Sequence, residues 1–307
     1  MNPKVNNLIQ PYRKAKYDIL WILDSNVQVA HGALARAVDV LGPPETEFSP
    51  TKKNKRRIGL VHHVPLAFIT KDLLGARIEE AFLNTNHAKM YLAINTVAID
   101  SCVVGKSNMY RRSDLDRLTG TLRPSMPSST SAQVGLPAFG RFLAEDNMIA
   151  SALWHELGLR HDLSCDVARN AIDDMDLPMY IWRRVRWIRV RKHMVMAATL
   201  AEPFTESVVA GLLGAWAVHT LIGVSSWIFL STHAVLWLLV DLDVFAKLSG
   251  EPIPSSKRWS FIRAWMYREL LALPIWILGI FGNEVTWRGR RYRVSSNGEA
   301  KRSDEPK

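Results

Sequence analysis

Between Ser207 and Val240 there is no aspartate, glutamate, lysine or arginine. A soluble fold would have to bury this whole run, whereas a helix crosses a bilayer with about 20 mainly apolar residues. The run therefore reads as two spans, Ser207 to Gly223 and Val224 to Val240, joined by a tight turn at Gly223-Val224-Ser225-Ser226. A third apolar run, Leu270 to Gly282, extends back through Phe261 to Tyr267 and is expected as a further span. Trp216, Trp227, Trp237, Trp259, Trp265, Trp276 and Trp287 lie in or at the edges of these runs, as interfacial aromatics do.

The rest of the chain is basic. Formal charge is +10, with Lys/Arg clusters at 52–57, 183–192 and 288–293. Two of these flank the apolar region, which favours an anionic membrane face or a phosphorylated substrate over nucleic acid. Cys102 and Cys165 form no Cys-x-x-Cys pair and no disulfide framework. They fit a reduced, cytosol-facing domain in which each is a small core hydrophobe. The opening Met-Asn-Pro-Lys is neither a signal nor a transit peptide.

Upstream of residue 192 the pattern is α/β. Ile19 to Leu23 is a short apolar run ended by Asp24, the mark of a buried parallel strand, and Asp24-Ser25-Asn26 falls where open α/β sheets place ligands. Residues 27–41 have helical spacing up to Pro43-Pro44, and 50–57 is a basic loop. Ile58 to Val64 reads as strand, Leu73 to Leu83 as helix, Ala93 to Val104 as strand, 119–138 as loop and Asn147 to Leu157 as helix. Such alternation implies a mostly parallel sheet.

Four groups could carry chemistry. Asp24 at a strand end suits a divalent ion, which favours oxygen ligands and bridges phosphates; a turn residue is the plainer reading. Asp146 could act as a general base, with Glu145 or burial raising its pKa. The plainer reading is that this acidic pair caps a helix or complements its dipole. Arg183 and Arg186, one helical turn apart, could hold one diphosphate, with Trp187 stacking beside them; the same residues also fit a positive flank to the membrane segment. His62 and His63 are adjacent in a strand, so they point to opposite faces and are no chelating pair.

Taken together, several short motifs resemble the ceramide glucosyltransferases, an inverting family of GT-A fold. They are Asn2-Pro3-Lys4-Val5-Asn6-Asn7-Leu8, Ala15-Lys16-Tyr17-Asp18, Asp24-Ser25-Asn26, Gly59-Leu60-Val61-His62, Glu145-Asp146, Arg183-x-x-Arg186-Trp187 and Val285 to Arg293. The resemblance implies UDP-glucose as donor, ceramide as acceptor, and a multi-pass Golgi or ER membrane protein whose catalytic domain faces the cytosol. It implies that Asp24 binds Mg²⁺ or Mn²⁺ and UDP, that Asp146 is the catalytic base beside Glu145, and that Arg183, Arg186 and Trp187 lie near the diphosphate and acceptor. It also draws His62 towards the active site. Family members carry a membrane anchor and further strands before the position of Asn2, and a second carboxylate where Asn26 stands. The expected layout is an N-terminally incomplete GT-A domain over 1–192, an interfacial segment at 193–205, membrane helices over 206–283 and a basic tail, disordered at its end, over 284–307. Membrane lipids are expected partners, nucleic acid is not, and no feature sets an oligomeric state. The alternatives are another membrane lipid glycosyltransferase of the same fold and a catalytically inactive truncated paralogue.

Overall fold

The computed structural model describes residues 2–42, 57–120, 133–287 and 289–303. The helix stop at Pro43-Pro44, most of the basic loop at 50–57, the middle of the 119–138 loop and Arg288 lie outside them. The chain divides into two compact units, Met1–Pro65 with Met90–Asn170 and Leu66–Lys89 with Ala171–Lys307.

The first unit begins with helix α1 (Pro3–Lys14), which was not expected from the polar, basic opening. Asn2 explains its start: the side chain accepts from the Lys4 and Val5 N–H groups, and Pro3 occupies the first helical position, where its missing N–H costs nothing. Strand β1 (Ile19–Leu23), the short β2 (Val27–Gln28), helix α2 (Ala33–Leu41) and strand β3 (Ile58–Ile69) follow. A five-stranded sheet forms in the order β1-β4-β3-β5-β2, completed by β4 (Ser107–Arg111) and β5 (Arg160–Ile172). Helix α2 seats Ala37 and Leu41 on Val61 and Met109 of the sheet.

The α/β class is as expected; the mostly parallel layout is not. β1 and β3 each run antiparallel to β4, and β2 runs antiparallel to β5. The crossover through α2 does leave β1 and β3 pointing the same way, as a parallel sheet requires. β4 then inserts between them reversed.

A second correction concerns Ala93 to Val104. Helix α4 (Ala88–Val97) occupies most of that stretch. Its buried side chains, Ala88 and Tyr91, are three residues apart, and Asn95 Nδ2 donates back to the Tyr91 carbonyl at 2.8 Å. Exposed Ile94 and Val97 supplied the misleading strand-like apolarity. The short α5 (Arg112–Leu115) and α6 (Glu145–His155) are this unit's other α-helices among the described residues. Cys165 is exposed on β5 and Cys102 is half-buried, so neither is the core hydrophobe expected.

The second unit is mainly helical: α3 (Leu74–Phe82), a π turn over Leu83–His87, α7 (Leu177–Arg191), α8 (Met196–Ala201), a 3₁₀ turn over Glu202–Thr205, α9 (Ser207–Ile222), α10 (Ser226–Ser249) and α11 (Ser255–Ile280). Ala76, Ile78 and Phe82 of α3 pack with Tyr180, Val185 and Ile188 of α7 and with Phe261, Trp265 and Ile275 of α11. The backbones approach so closely that a Cβ at Gly75 would overlap the Asp176 carbonyl.

Gly223, at φ 70°, ends α9 near the expected turn. Among the described residues α10 is the one helix long and apolar enough to cross a membrane, and α9 qualifies only if counted with Met196–Thr205 across a 64° bend. The third expected span becomes part of α11, which carries Lys257, Arg258, Arg263, Arg268 and Glu269. It does not meet the same test.

The tail also departs from expectation. Strands β6 (Glu284–Trp287), β7 (Arg290–Val294) and β8 (Ala300–Arg302) form an antiparallel sheet, so part of the end expected to be disordered is strand, and 304–307 lie outside the described residues. Buried Tyr292 and Val294 alternate with exposed Arg291 and Arg293, a period of two that gives the strand a packed face. Replacing Gly75 with Ala should destabilise the chain by about 2–3 kcal/mol, because overpacking against backbone has no side chain to yield. Thermal unfolding in detergent measures this.

Candidate functional site

Lys4 sits in the first turn of α1, where the helix dipole disfavours a cation and the helix supplies no acid of its own. The compensation comes from elsewhere in the first unit. Lys4 Nζ lies 3.0 Å from Asp24 Oδ1 and 3.3 Å from Glu145 Oε1, and it donates to the Gly105 carbonyl at 2.9 Å. The second Asp24 oxygen is 3.0 Å from Lys106 Nζ. Asn2, besides capping α1, donates through Nδ2 to Glu145 Oε2 at 2.7 Å and to the Phe142 carbonyl at the same distance. One ammonium therefore gathers the end of β1, the turn before β4 and the start of α6.

Asp146 completes the group. It stands in the first turn of α6, and its Oδ2 would be 2.5 Å from a Cβ placed on Gly105. Only glycine lets the backbone come this close to the carboxylate. The structure thus brings Asp24, Glu145 and Asp146 together. Sequence reasoning named those three but missed Lys4, Gly105 and Lys106 as members of the cluster. The available signal was a lysine at a helix start with no acid nearby.

The electrostatics follow from burial and charge. Burial, the neighbouring Asp146 charge, and only partial relief from Lys4 push the Glu145 carboxyl up to about 7. Burial would raise Asp24 too, but Lys4 and Lys106 outweigh it and hold that carboxyl below the usual range. Lys4 is raised: burial opposes its charge, and Glu145, Asp146 and Asp24 more than restore it.

Asp24 is the residue expected to hold a divalent ion. Each of its oxygens already faces an ammonium, so an ion would have to displace Lys4 or Lys106. No cluster of three or more His, Cys, Asp or Glu residues capable of holding a metal occurs among the described residues. The residues present do not form a preassembled metal site.

His62 is fully buried on β3. Its Nδ1 meets the Tyr91 hydroxyl, which also accepts from the Val104 N–H at 3.2 Å, and its ring stands edge-on to His161 at 6.3 Å. Burial, with the His161 and His63 charges adding to it, pushes His62 down to about 3, so the ring is neutral at physiological pH. His63 goes to other partners, Ser107 Oγ at 2.8 Å and the Trp21 ring.

Arg183, Arg186 and Trp187 belong to the second unit, on α7. The helix starts at Asp176, whose side chain accepts from the Met179 N–H at 2.7 Å. Arg183 is committed to fully buried Glu79 at 2.9 Å. Trp187 lies beneath the Arg183 and Arg184 guanidinium groups, at 5.2 and 4.6 Å, distances at which cation–π attraction operates. Arg186 is different. It is half-buried and makes no ion pair among the described residues, and burial followed by repulsion from Arg183, offset only in part by Glu79, brings it down to about 10. Of the two arginines expected to share an anion, Arg186 is the uncommitted one.

The sequence profile of glycosyl transferase family 21 matches residues 1–300. A ceramide glucosyltransferase of Komagataella phaffii is 40% identical, the match covering 96% of this chain and 68% of that protein. A ceramide glucosyltransferase of Candida albicans is 35% identical over 96% of this chain and 72% of its own length. Ceramide glucosyltransferase 1 of Caenorhabditis elegans is 26% identical over 99% of this chain and 59% of its own length.

Two outcomes are expected here. Lys4→Met should cost about 2 kcal/mol, less than the penalty for a fully buried pair because the ammonium is partly exposed; urea midpoints read it. Glu145 binds its proton more tightly folded (about 7) than at its ordinary 4.5. Its contribution therefore favours folding at low pH and declines as pH rises from about 4.5 to about 7. Glu145→Gln should flatten that limb of a melting-temperature profile taken from pH 4 to 8.

Proposed function

We propose that this chain, which belongs to glycosyl transferase family 21, transfers glucose from UDP-glucose to the primary hydroxyl of ceramide and yields glucosylceramide. The observation that carries the reading is the carboxylate cluster around Lys4, found in a chain whose relatives are named ceramide glucosyltransferases.

The chemistry asks little of the protein beyond positioned charge. A ceramide hydroxyl oxygen attacks the anomeric carbon of glucose from the face opposite the diphosphate. The new C–O bond forms as the bond to the diphosphate breaks, and the configuration inverts. The hydroxyl proton needs an acceptor on the attacking side, the role we assign to Asp146, which is held against Gly105. Glu145 keeps Lys4 in place, and Lys4 with Lys106 fixes Asp24 in the donor region. The leaving diphosphate needs a cation free to meet it. Of the two arginines expected there, Arg183 is paired with Glu79, whereas Arg186 makes no ion pair among the described residues. His62, neutral and buried, supports the Tyr91 side of the sheet. No step is routed through a divalent ion.

The acceptor is a lipid, and α10 gives the chain an element able to lie in one. At 24 residues it spans about 36 Å, enough for the roughly 30 Å hydrocarbon layer. We place the chain in the Golgi or ER membrane, with the carboxylate cluster on the cytosolic side.

Asp146→Asn should abolish transfer, lowering the rate at least about 10²-fold, while binding of UDP stays within a few-fold of the unmodified chain. Lipid extraction and chromatography after incubation with radiolabelled UDP-glucose and ceramide read the rate. Turnover at the unmodified level would remove Asp146 from the role of base.

A further inference from the structure

A cleft in the second unit lies among α7, the 3₁₀ turn at Glu202–Thr205, α9 and α11. Its polar lining is built from buried charge. Arg268, 1% exposed, pairs with Glu206 at 2.9 Å and with Glu269, and Glu202 pairs with Arg191. Arg184 adds a third guanidinium, and Arg268 also lies 3.5 Å from Asp241, which pairs with Lys89, so the lining and its ion-pair network balance to zero, four cations against four acids.

Two groups in that lining are left incomplete. Arg184 Nη1 and Glu269 Oε2 have no hydrogen-bond partner, although the residues are only 5% and 6% exposed. Buried polar atoms are normally satisfied, and leaving one unpaired costs about as much as a lost hydrogen bond or more. The reason Arg184 is open is visible. Its guanidinium lies over the Phe82 ring at 3.5 Å and the Trp187 ring at 4.6 Å, contacts that engage the flat faces of the cation and leave its N–H edge. Beside this donor and acceptor the walls are apolar: Val208 and Val209 from α9, Ala272, Leu273 and Ile275 from α11. Leu273 also reaches the surface, where exposed Leu212, Leu213 and Leu270 continue the apolar face.

We infer that this cleft binds the head of an uncharged amphiphile carrying both amide and hydroxyl groups, with its alkyl chains leaving past Leu273 along α9 and α11. A carbonyl or hydroxyl oxygen satisfies Arg184 Nη1. An O–H or N–H satisfies Glu269 Oε2. The balanced charge disfavours an anionic or cationic head, which would add an uncompensated buried charge. In identifying the occupant with ceramide the inference rests on the function proposed above; the cleft's preference for a neutral amide-and-hydroxyl head does not.

The test is photolabelling of the full chain in nanodiscs with a ceramide bearing a diazirine in its acyl chain and no UDP-glucose present. Labelling should map to peptides containing 203–213 or 268–277. It should fall at least fivefold on competition with unlabelled ceramide, and persist with an equal amount of phosphatidylserine. Leu273→Trp and Val209→Trp, which plug the cleft from opposite walls, should each cut labelling at least fivefold with an unchanged melting temperature. If one of them fails to fold, the other carries the comparison. Labelling outside these peptides, labelling indifferent to a folded plug variant, or displacement by phosphatidylserine as effective as by ceramide would each overturn the inference, leaving water as the occupant. Labelling as expected without any transfer from UDP-glucose would instead defeat the enzymatic reading and leave the cleft standing.

Discussion

The contact on which the first unit depends is that of a single ammonium, Lys4 Nζ, with oxygens from three separate parts of the chain. Asp24 closes β1, Gly105 precedes β4 and Glu145 opens α6. None of the three has a local reason to approach the others. Two carboxylates brought near one another repel, and burial makes each more costly to ionise; the cations outweigh this at Asp24 and relieve it only in part at Glu145. The helix that carries Lys4 is itself fixed at the same point, because Asn2 caps α1 with its oxygen and holds Glu145 with its nitrogen. The cluster is thus both a junction of the fold and a place where acids are kept ionised or protonated according to their neighbours.

In the second unit the same problem is met with arginine. Arg184 lies between aromatic rings and Arg268 among acids, and both are almost completely enclosed. A guanidinium tolerates this better than an ammonium would, since it is more weakly hydrated and its flat faces accept a ring while its edge bonds an acid. At these places two kinds of cation meet two kinds of surroundings: Lys4 is ringed by oxygens, whereas Arg184 is stacked on rings.

The sequence made some of this legible. The strand ending in Asp24 was readable from five consecutive apolar residues and the acid that stops them, and the helical phase of Arg183 and Arg186 from their spacing. Other parts were hidden for physical reasons. β5 runs from Arg160 to Ile172, yet its buried positions are Ser164, Ala168, Asn170 and Ile172. They keep the period of two, but three of the four are small or polar, so no apolar alternation shows. In α4 the error went the other way: the β-branched residues are the exposed ones, and Tyr91, which points inward, is held by a histidine about thirty residues earlier in the chain. The members of the Lys4 cluster were individually ordinary, and only the folded chain brings them together.

The partners of Asp241 carry a consequence for biogenesis. This aspartate is fully enclosed on α10, 2.6 Å from Lys89 and 3.5 Å from Arg268, and it accepts the Trp265 indole N–H at 2.7 Å. On a ribosome, Lys89 has long been made when α10 emerges, whereas Trp265 and Arg268 have not. The first neutralisation of Asp241 therefore falls to a residue from the early part of the chain, and α11 can only seal the arrangement afterwards. The enclosure of Asp241 is thus completed in two steps set by the order of translation, Lys89 first and then Trp265 with Arg268 once α11 has been made.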